Sequence, residues 1–360
     1  MRNRMGIVRV ALALAVGIAV VSGVCGAALA AQTNEIALSL EGKALGTVGK
    51  LISDTTLVSL EDISTDLGLT YWGPRDSQAV VTYKDKKVTF NLGSNWTVVN
   101  GHEVLCPWTP TQEGDQVMVP LRFLMENLGF RVKWVDGPAN SIDIRPVVEN
   151  SLIIGTVRER QETGTLQIDV QYPKIVGLDL TVQEPMNAFF ANRTSPAVEE
   201  GCASEKTNIE TGELRWPTQV VLNYRVAYNQ KDLLSIVFDD YLFTGGAHGI
   251  TGRHGYTADI KTGVSYALKD LFLPGTDYVS LLSAEVQEQI EEKELATLGT
   301  FTKIRDDQDF YLYDDNLIVY FQQYELMAYA FGFPEFKIPM ASLKDVLIPE
   351  MAARNWVPAE

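Results

Sequence analysis

The residues best equipped for chemistry lie in FTGGAHGITGRHGY (residues 243–256), which holds two of the three histidines of the chain. His248 and His254 are six residues apart, a separation that brings two rings together if they sit on neighbouring strands. Asp239, Asp240 and Asp259 are close enough in sequence to supply oxygen ligands, or to make a histidine–carboxylate acid/base pair. A catalytic zinc site needs three protein ligands and an open position, so this inventory is barely sufficient. No serine or cysteine with an activating neighbourhood accompanies it. The same residues also suit a purely structural role. Gly245, Gly246 and Gly249 permit tight or positive-φ turns, and His248 would hydrogen-bond the backbone that such turns leave unpaired. The expectation is a scaffold loop that holds no metal and no cofactor, with His248, His254 and Asp240 as the catalytic alternative.

A second group of residues suits recognition. Tyr311, Tyr313, Tyr320, Phe321, Tyr324, Tyr329, Phe331 and Phe333 crowd one segment, enough aromatics for both a core and a surface. Strand alternation should bury half of them, Phe321 and Phe331 included. Tyr311, Tyr313, Tyr324 and Tyr329 are expected to form a ligand surface that stacks on sugar faces or holds a protein partner.

The elements needed to position these residues are legible around them. TLQIDVQYP (residues 165–173) alternates like a strand, and a helix is expected around TVQEPMNAFFANR (residues 181–193) with Met186, Phe189 and Phe190 inward. Two apolar-rich strands, residues 218–230 and 233–243, meet in a hairpin at 229–232. HGYTADIKTGVSYALKDLF (residues 254–272) reads as two strands around a turn at Gly263. Residues 277–295 form an amphipathic helix with Val279, Leu282, Val286 and Ile290 as its buried stripe. Residues 310–340 read as two strands, an aromatic loop and a closing strand, and SLKDVL as a short helix.

Upstream, LVSLEDISTDLGLTYW (residues 57–72) is echoed by MVPLRFLMENLGFRVKW (residues 118–134): strand entry, short helix, Leu-Gly, then a strand ending in tryptophan. An alternating strand follows each copy, AVVTY and SIDIR. Gly68 and Gly129 suit helix C-caps, where the left-handed backbone favours a residue without a β-carbon. This repeat, with NLGSNWTVVNG before its second copy, resembles the copper amine oxidase N-terminal-like (stalk) domain over roughly residues 35–147. The resemblance implies an adhesive or wall-facing module without copper chemistry. His102 and Cys106 are too few for a copper site, and His102 is read as a loop histidine. The motifs YLFTGGAHG, DIKTG, LKDLF, FYLYDDNLIVYFQQYELMAYAFG and FKIPM, in that order, are similar to the C-terminal domain of the RsiV and PdaC families. YPKIVGLDL and the helix after it resemble the smaller domain that precedes it there, the whole covering about residues 160–347. The resemblance implies a place at the bacterial envelope, where family members sense lysozyme or deacetylate peptidoglycan. Residues 1–9 are too short to hold a sigma factor, and the chain reaches Glu360 with no separate metal-dependent catalytic domain, so neither effector role is expected.

The expected architecture is α+β: a signal peptide over 1–30, a repeat-built α+β stalk domain over 31–147, a small PdaC-type domain over 151–240, and an RsiV-like domain with antiparallel sheet over 241–350. Arg2, Arg4 and Arg9, an apolar run from Val10 and a small-residue ending at Ala30 make the signal, with cleavage near Ala30 expected to leave no membrane span. Cys25 lacks a lipoprotein context. Losing residues 1–30 would take the formal charge from −16 to about −19. That field repels nucleic acid and attracts basic partners. Cys106 and Cys202 could pair in an oxidising compartment or stay free. The reading is an exported, extracytoplasmic, non-catalytic envelope protein that binds peptidoglycan glycan or a basic protein such as lysozyme. The alternative is a wall hydrolase or deacetylase-like enzyme.

Overall fold

The computed structural model describes residues 34–135 and 140–356, and the signal segment expected over 1–30 lies outside them. The first module contains β1 (Asn34–Leu40), β2 (Lys43–Ile52), β3 (Thr55–Ser59), α1 (Leu60–Leu67), β4 (Thr70–Arg75), β5 (Gln78–Tyr83), β6 (Lys86–Asn91), β7 (Trp96–Val99) and β8 (His102–Leu105). It continues through β9 (Thr111–Glu113), β10 (Gln116–Pro120), α2 (Leu121–Asn127), β11 (Phe130–Val135) and β12 (Ser141–Pro146). The two repeat copies begin alike. Their entry strands β3 and β10 pair antiparallel, Met118 opposite Ser59. Ser59 Oγ accepts from the Asp62 amide to cap α1, while α2 starts at Pro120 without a side-chain cap. Gly68 and Gly129 take φ of 65° and 84°, the left-handed backbone that ends each helix.

After the helices the copies part. β4 and β5 enter a five-stranded sheet, β4-β5-β6-β7-β8, whereas β11 and β12 form the far side of a seven-stranded one, β11-β12-β1-β2-β3-β10-β9. There β1 runs parallel to β12, with Ala37 opposite Ser141 and Leu40 opposite Ile144. Leu60, Ile63, Phe90, Leu121, Leu124 and Met125 fill the core shared by both sheets and helices.

The second module is a five-stranded sheet in the order β13 (Ile153–Glu162), β14 (Leu166–Val176), β15 (Thr218–Gln230), β16 (Leu233–Phe243), β17 (Ile250–Asp259). Only β14 and β15 are parallel, and α3 (Leu180–Asn192) and α4 (Ser195–Thr211) make the crossover between them. No hydrophobic stripe in the sequence marks α4. Val182, Met186 and Phe190 of α3 pack on Tyr224, Ile236, Phe238 and Tyr256. Phe189, expected inward, is 43% exposed and stacks on Tyr256 with ring centroids 4.7 Å apart. The β15–β16 hairpin turns at Lys231 and Asp232, both at positive φ. The boundary expected at 240/241 falls inside β16, and β17 pairs along most of its length, so one sheet spans both sides of that position.

Against the other face of this sheet lies a three-stranded one, β18 (Phe310–Tyr313), β19 (Asn316–Tyr320) and β20 (Glu335–Pro339), packed with α5 (Tyr278–Glu292). Leu282, Val286 and Ile290 of α5 are buried. Val237 of β16 meets Tyr311, Ile318 and Tyr320, and the Leu312 amide donates to Ser235 Oγ. The second strand expected after DIKTG is reduced to one bridge, Ala258 with Ser265, followed by a 3-10 turn at Leu268–Leu271. SLKDVL forms turns, and the final helix is α6 (Pro349–Ala352).

Candidate binding surface

β17 is the last strand of its sheet, so its outward backbone groups need partners. The aromatic loop after β19 supplies them from side chains. The Gln322 amide pairs with Arg253 in both directions: Oε1 accepts from its N–H at 3.0 Å and Nε2 donates to its carbonyl at 2.7 Å. Gln323 Oε1 accepts from the Thr251 amide at 3.0 Å. Glu325 closes the loop by accepting from the Gln322 amide and pairing with Arg305. Two adjacent glutamines thus do for the edge what a sixth strand would do.

This anchoring sets the aromatic loop over the glycine–histidine loop. His248 is exposed and stacks on Tyr329 at 4.4 Å, and its Nδ1 lies 2.8 Å from the Gly249 carbonyl, to which Tyr329 also donates. Tyr324, 50% exposed, packs beside Tyr329 with centroids 5.5 Å apart. Ile250, two residues after His248, and Phe331, two residues after Tyr329, are 60% and 56% exposed. Phe331, expected in the core, is therefore at the surface, because the chain leaves the strand register at Gln322 and alternation no longer decides its side. Gly245 and Gly246 take φ of 111° and 96°. Gly249 has no positive φ; what it needs is space, since a Cβ there would stand 2.5 Å from the Tyr241 ring. Asn208 of α4 donates to the Thr244 carbonyl and ties down the start of the loop.

The four tyrosines divide into two places. Tyr324 and Tyr329 share the surface just described. Tyr311 is 2% exposed, under the Arg225 guanidinium 4.7 Å above its ring, so it presents no face to a ligand. Burial pushes its hydroxyl up to about 12. Tyr313 donates to Glu126 of the first module at 2.6 Å. Strand alternation placed Tyr311 and Tyr313 on one face, but that face packs inward.

The ionisable residues also divide. His254 Nε2 is 3.5 Å from Asp240 Oδ2, and Arg193 at the end of α3 pairs with the same carboxylate. Burial raises the Asp240 carboxyl above its usual range even so, while burial and then the Arg193 charge lower the His254 imidazole. Asp239 lies on the opposite side of the strand, held by both arms of Arg253. Asp259 pairs with Arg354. Among the described residues no group of three or more His, Cys, Asp or Glu could hold a metal ion, so His248, His254 and Asp240 do not converge on one. Cys106 is buried, Cys202 exposed, and both are free thiols.

His102, read as a loop residue, belongs to β8 and is 6% exposed in the contact between modules. It pairs with Asn223 and stacks on Tyr224 at 4.1 Å. The backbone of neighbouring Glu103 is paired by Gln171 and Asn223, and its carboxylate by Arg158. Around these contacts the modules leave a cleft of about 880 Å³ lined by Phe123, Trp134, Tyr224 and Tyr313 among others. The signal available in the sequence was the position of His102 in an alternating strand, but its partners lie 121 residues away.

Comparison with known proteins follows this division. Residues 41–143 match the family Copper amine oxidase N-terminal domain, 159–251 match Deacetylase PdaC, and 269–341 match a protein family of unknown function, DUF3298. The chain is 26% identical over 133 residues to the peptidoglycan-N-acetylmuramic acid deacetylase PdaC of Bacillus subtilis (strain 168), covering 35% of this chain and 28% of that protein. It is 25% identical over 208 residues to the anti-sigma-V factor RsiV of the same organism, covering 54% of this chain and 70% of RsiV. A DUF3298-family crystal structure from Bacteroides fragilis NCTC 9343 superimposes with TM-score 0.45 at 17% identity, covering 57% of this chain and 98% of that one. One from Pseudomonas aeruginosa PAO1 gives 0.42 at 18%, covering 55% and 96%. Both curated relatives are envelope proteins, and the likeness is consistent with an envelope protein here. No helix among the described residues is long and apolar enough to cross a membrane. The chain joins a copper amine oxidase N-terminal-like module to PdaC-type and DUF3298-type segments, in the company of PdaC and RsiV.

Proposed function

We propose that this chain is an exported, non-catalytic envelope protein whose C-terminal half docks a basic protein such as a lysozyme on the surface formed by His248, Tyr324 and Tyr329. The observation that carries the reading is an exposed aromatic loop held rigidly on the β17 edge by Gln322 and Gln323. An exposed Tyr324 and a half-buried Tyr329 on a fixed frame lose little freedom on binding, the condition under which aromatic residues dominate interfaces. A net charge of −16 supplies long-range attraction for a cationic partner. The hydrolase alternative has less support: Arg193 already occupies the Asp240 carboxylate, and His248 faces a backbone carbonyl.

The test is retention of the full chain on immobilised lysozyme and on purified cell wall, at low and high salt. Retention on lysozyme that fades with salt, and that drops at least ~10-fold in a Tyr324→Ala/Tyr329→Ala variant, is the expected result. Undiminished retention by that variant would refute the assignment. Retention on cell wall alone, lost in the same variant, would move the ligand of this surface to glycan.

A further inference from the structure

The five-stranded sheet of the first module has one face committed to the core and one turned away from it. Ala79, Val81, Val88, Phe90 and Val99 are buried on the inner side. Alternation therefore puts their neighbours Trp72, Val80, Thr89 and Val98 on the outer side, where they lie opposite one another across β4, β5, β6 and β7. A second outer row runs Gln78, Asn91, Trp96, Leu105. Trp72 is 54% exposed and Leu105 40%. Gln78 donates to Asn91 Oδ1 at 2.9 Å, and Asn91 donates to the Trp96 carbonyl at 2.7 Å, so the amides are fixed in a chain across the strands.

We propose that this outer face is a platform for a linear polysaccharide, a β-linked pyranose chain of the kind found in wall glycan. It goes beyond the protein-docking role of the C-terminal half and uses a different module. Charge excludes the competing occupant. The face between Trp72 and Trp96 carries only Thr, Val, Gln and Asn, in a chain whose net charge is −16. A basic protein would need carboxylates there, and the one in register with this face, Glu103 opposite Val98, is already held by Arg158. What the face offers instead is indole surface for the C–H faces of sugar rings and fixed amides and a threonine hydroxyl for their OH groups. Trp72 and Trp96 are three strand steps apart across the sheet and two residues apart along it, roughly 16 Å at the usual strand spacing and rise. That is a span of a few pyranose rings, so the two indoles would stack on separate sugars of one chain.

The experiment is titration of the full chain with chitohexaose, a soluble β-1,4-linked N-acetylglucosamine oligomer, together with co-sedimentation on purified peptidoglycan. Trp72 and Gln78 are exposed, so Trp72→Ala and Gln78→Ala are expected to retain the fold, which circular dichroism checks. Trp72→Ala is expected to weaken binding to at least one probe ~10-fold or more, Gln78→Ala less, and neither should alter retention on lysozyme. Failure of the unmodified chain to bind either probe overturns the platform. So does binding by Trp72→Ala equal to that of the unmodified chain, or glycan binding abolished by Tyr324→Ala/Tyr329→Ala alone. None of these outcomes bears on lysozyme retention, which tests the other surface separately.

Discussion

Gly255 shows how little room separates the two sheets of the C-terminal half. A Cβ at this position would collide with the carbonyl oxygen of Phe310, a backbone atom that cannot rotate away. Gly255→Ala is expected to cost about 1–3 kcal/mol of unfolding free energy by forcing β17 and β18 apart. Urea denaturation measures it, and an unchanged midpoint would contradict the packing. In the sequence this glycine looked like one more member of a glycine-rich loop. Its role is set by a strand 55 residues later, which no local pattern reports. Gly245 and Gly246 were legible because their demand is local, a positive φ. Gly249 was not, since a ring from Tyr241 makes its demand. The same distinction separates Tyr324 from Tyr311, since burial under Arg225 is invisible to strand alternation.

At the level of elements, the periodic ones were readable and the aperiodic ones were not. β15, β16 and α5 follow from alternation and a helical stripe, and both repeat helices end at the glycines expected. α4 has no comparable stripe: its contacts come from the partly buried Ala197 and Val198 and from Gly201, which lies close against Val220. A helix held by small residues leaves little trace in hydropathy. DIKTG makes the expected turn, but the strand expected after it is one bridge long, because the segment turns into a 3-10 coil directly afterwards. The edge of β17 gives a prediction at this scale. Gln322→Ala/Gln323→Ala removes the acceptors of the Thr251 and Arg253 amides. Those two amides should then exchange with deuterium at least ~10-fold faster than in the unmodified chain, with the β15–β16 amides unaffected. Equal exchange would mean that the aromatic loop is not what protects this edge.

For the molecule as a whole, His102 reports on the contact between modules. Burial lowers its imidazole to about 4, from an ordinary value near 6.5. The folded form thus disfavours the proton that the unfolded form accepts. Stability from the neutral ring is complete above about pH 6.5 and declines as pH falls toward about 4, by roughly 3 kcal/mol at most. Between pH 7 and 5 the thermal midpoint of the unmodified chain should therefore fall more than that of His102→Gln, and parallel curves would rule the effect out. Glu103, Arg158, Asn223 and Tyr224 surround the ring, and none of these partners could be paired with it from sequence alone. The parallel alignment of β1 with β12 has a mechanical consequence. A pull applied between the beginning of β1 and the segment leaving β12 acts along both strands in opposite directions. It loads the hydrogen bonds from Ala37 through Leu40 simultaneously instead of peeling them one by one. Tension between the first module and the second is thereby met in shear, the geometry in which a short ladder yields last.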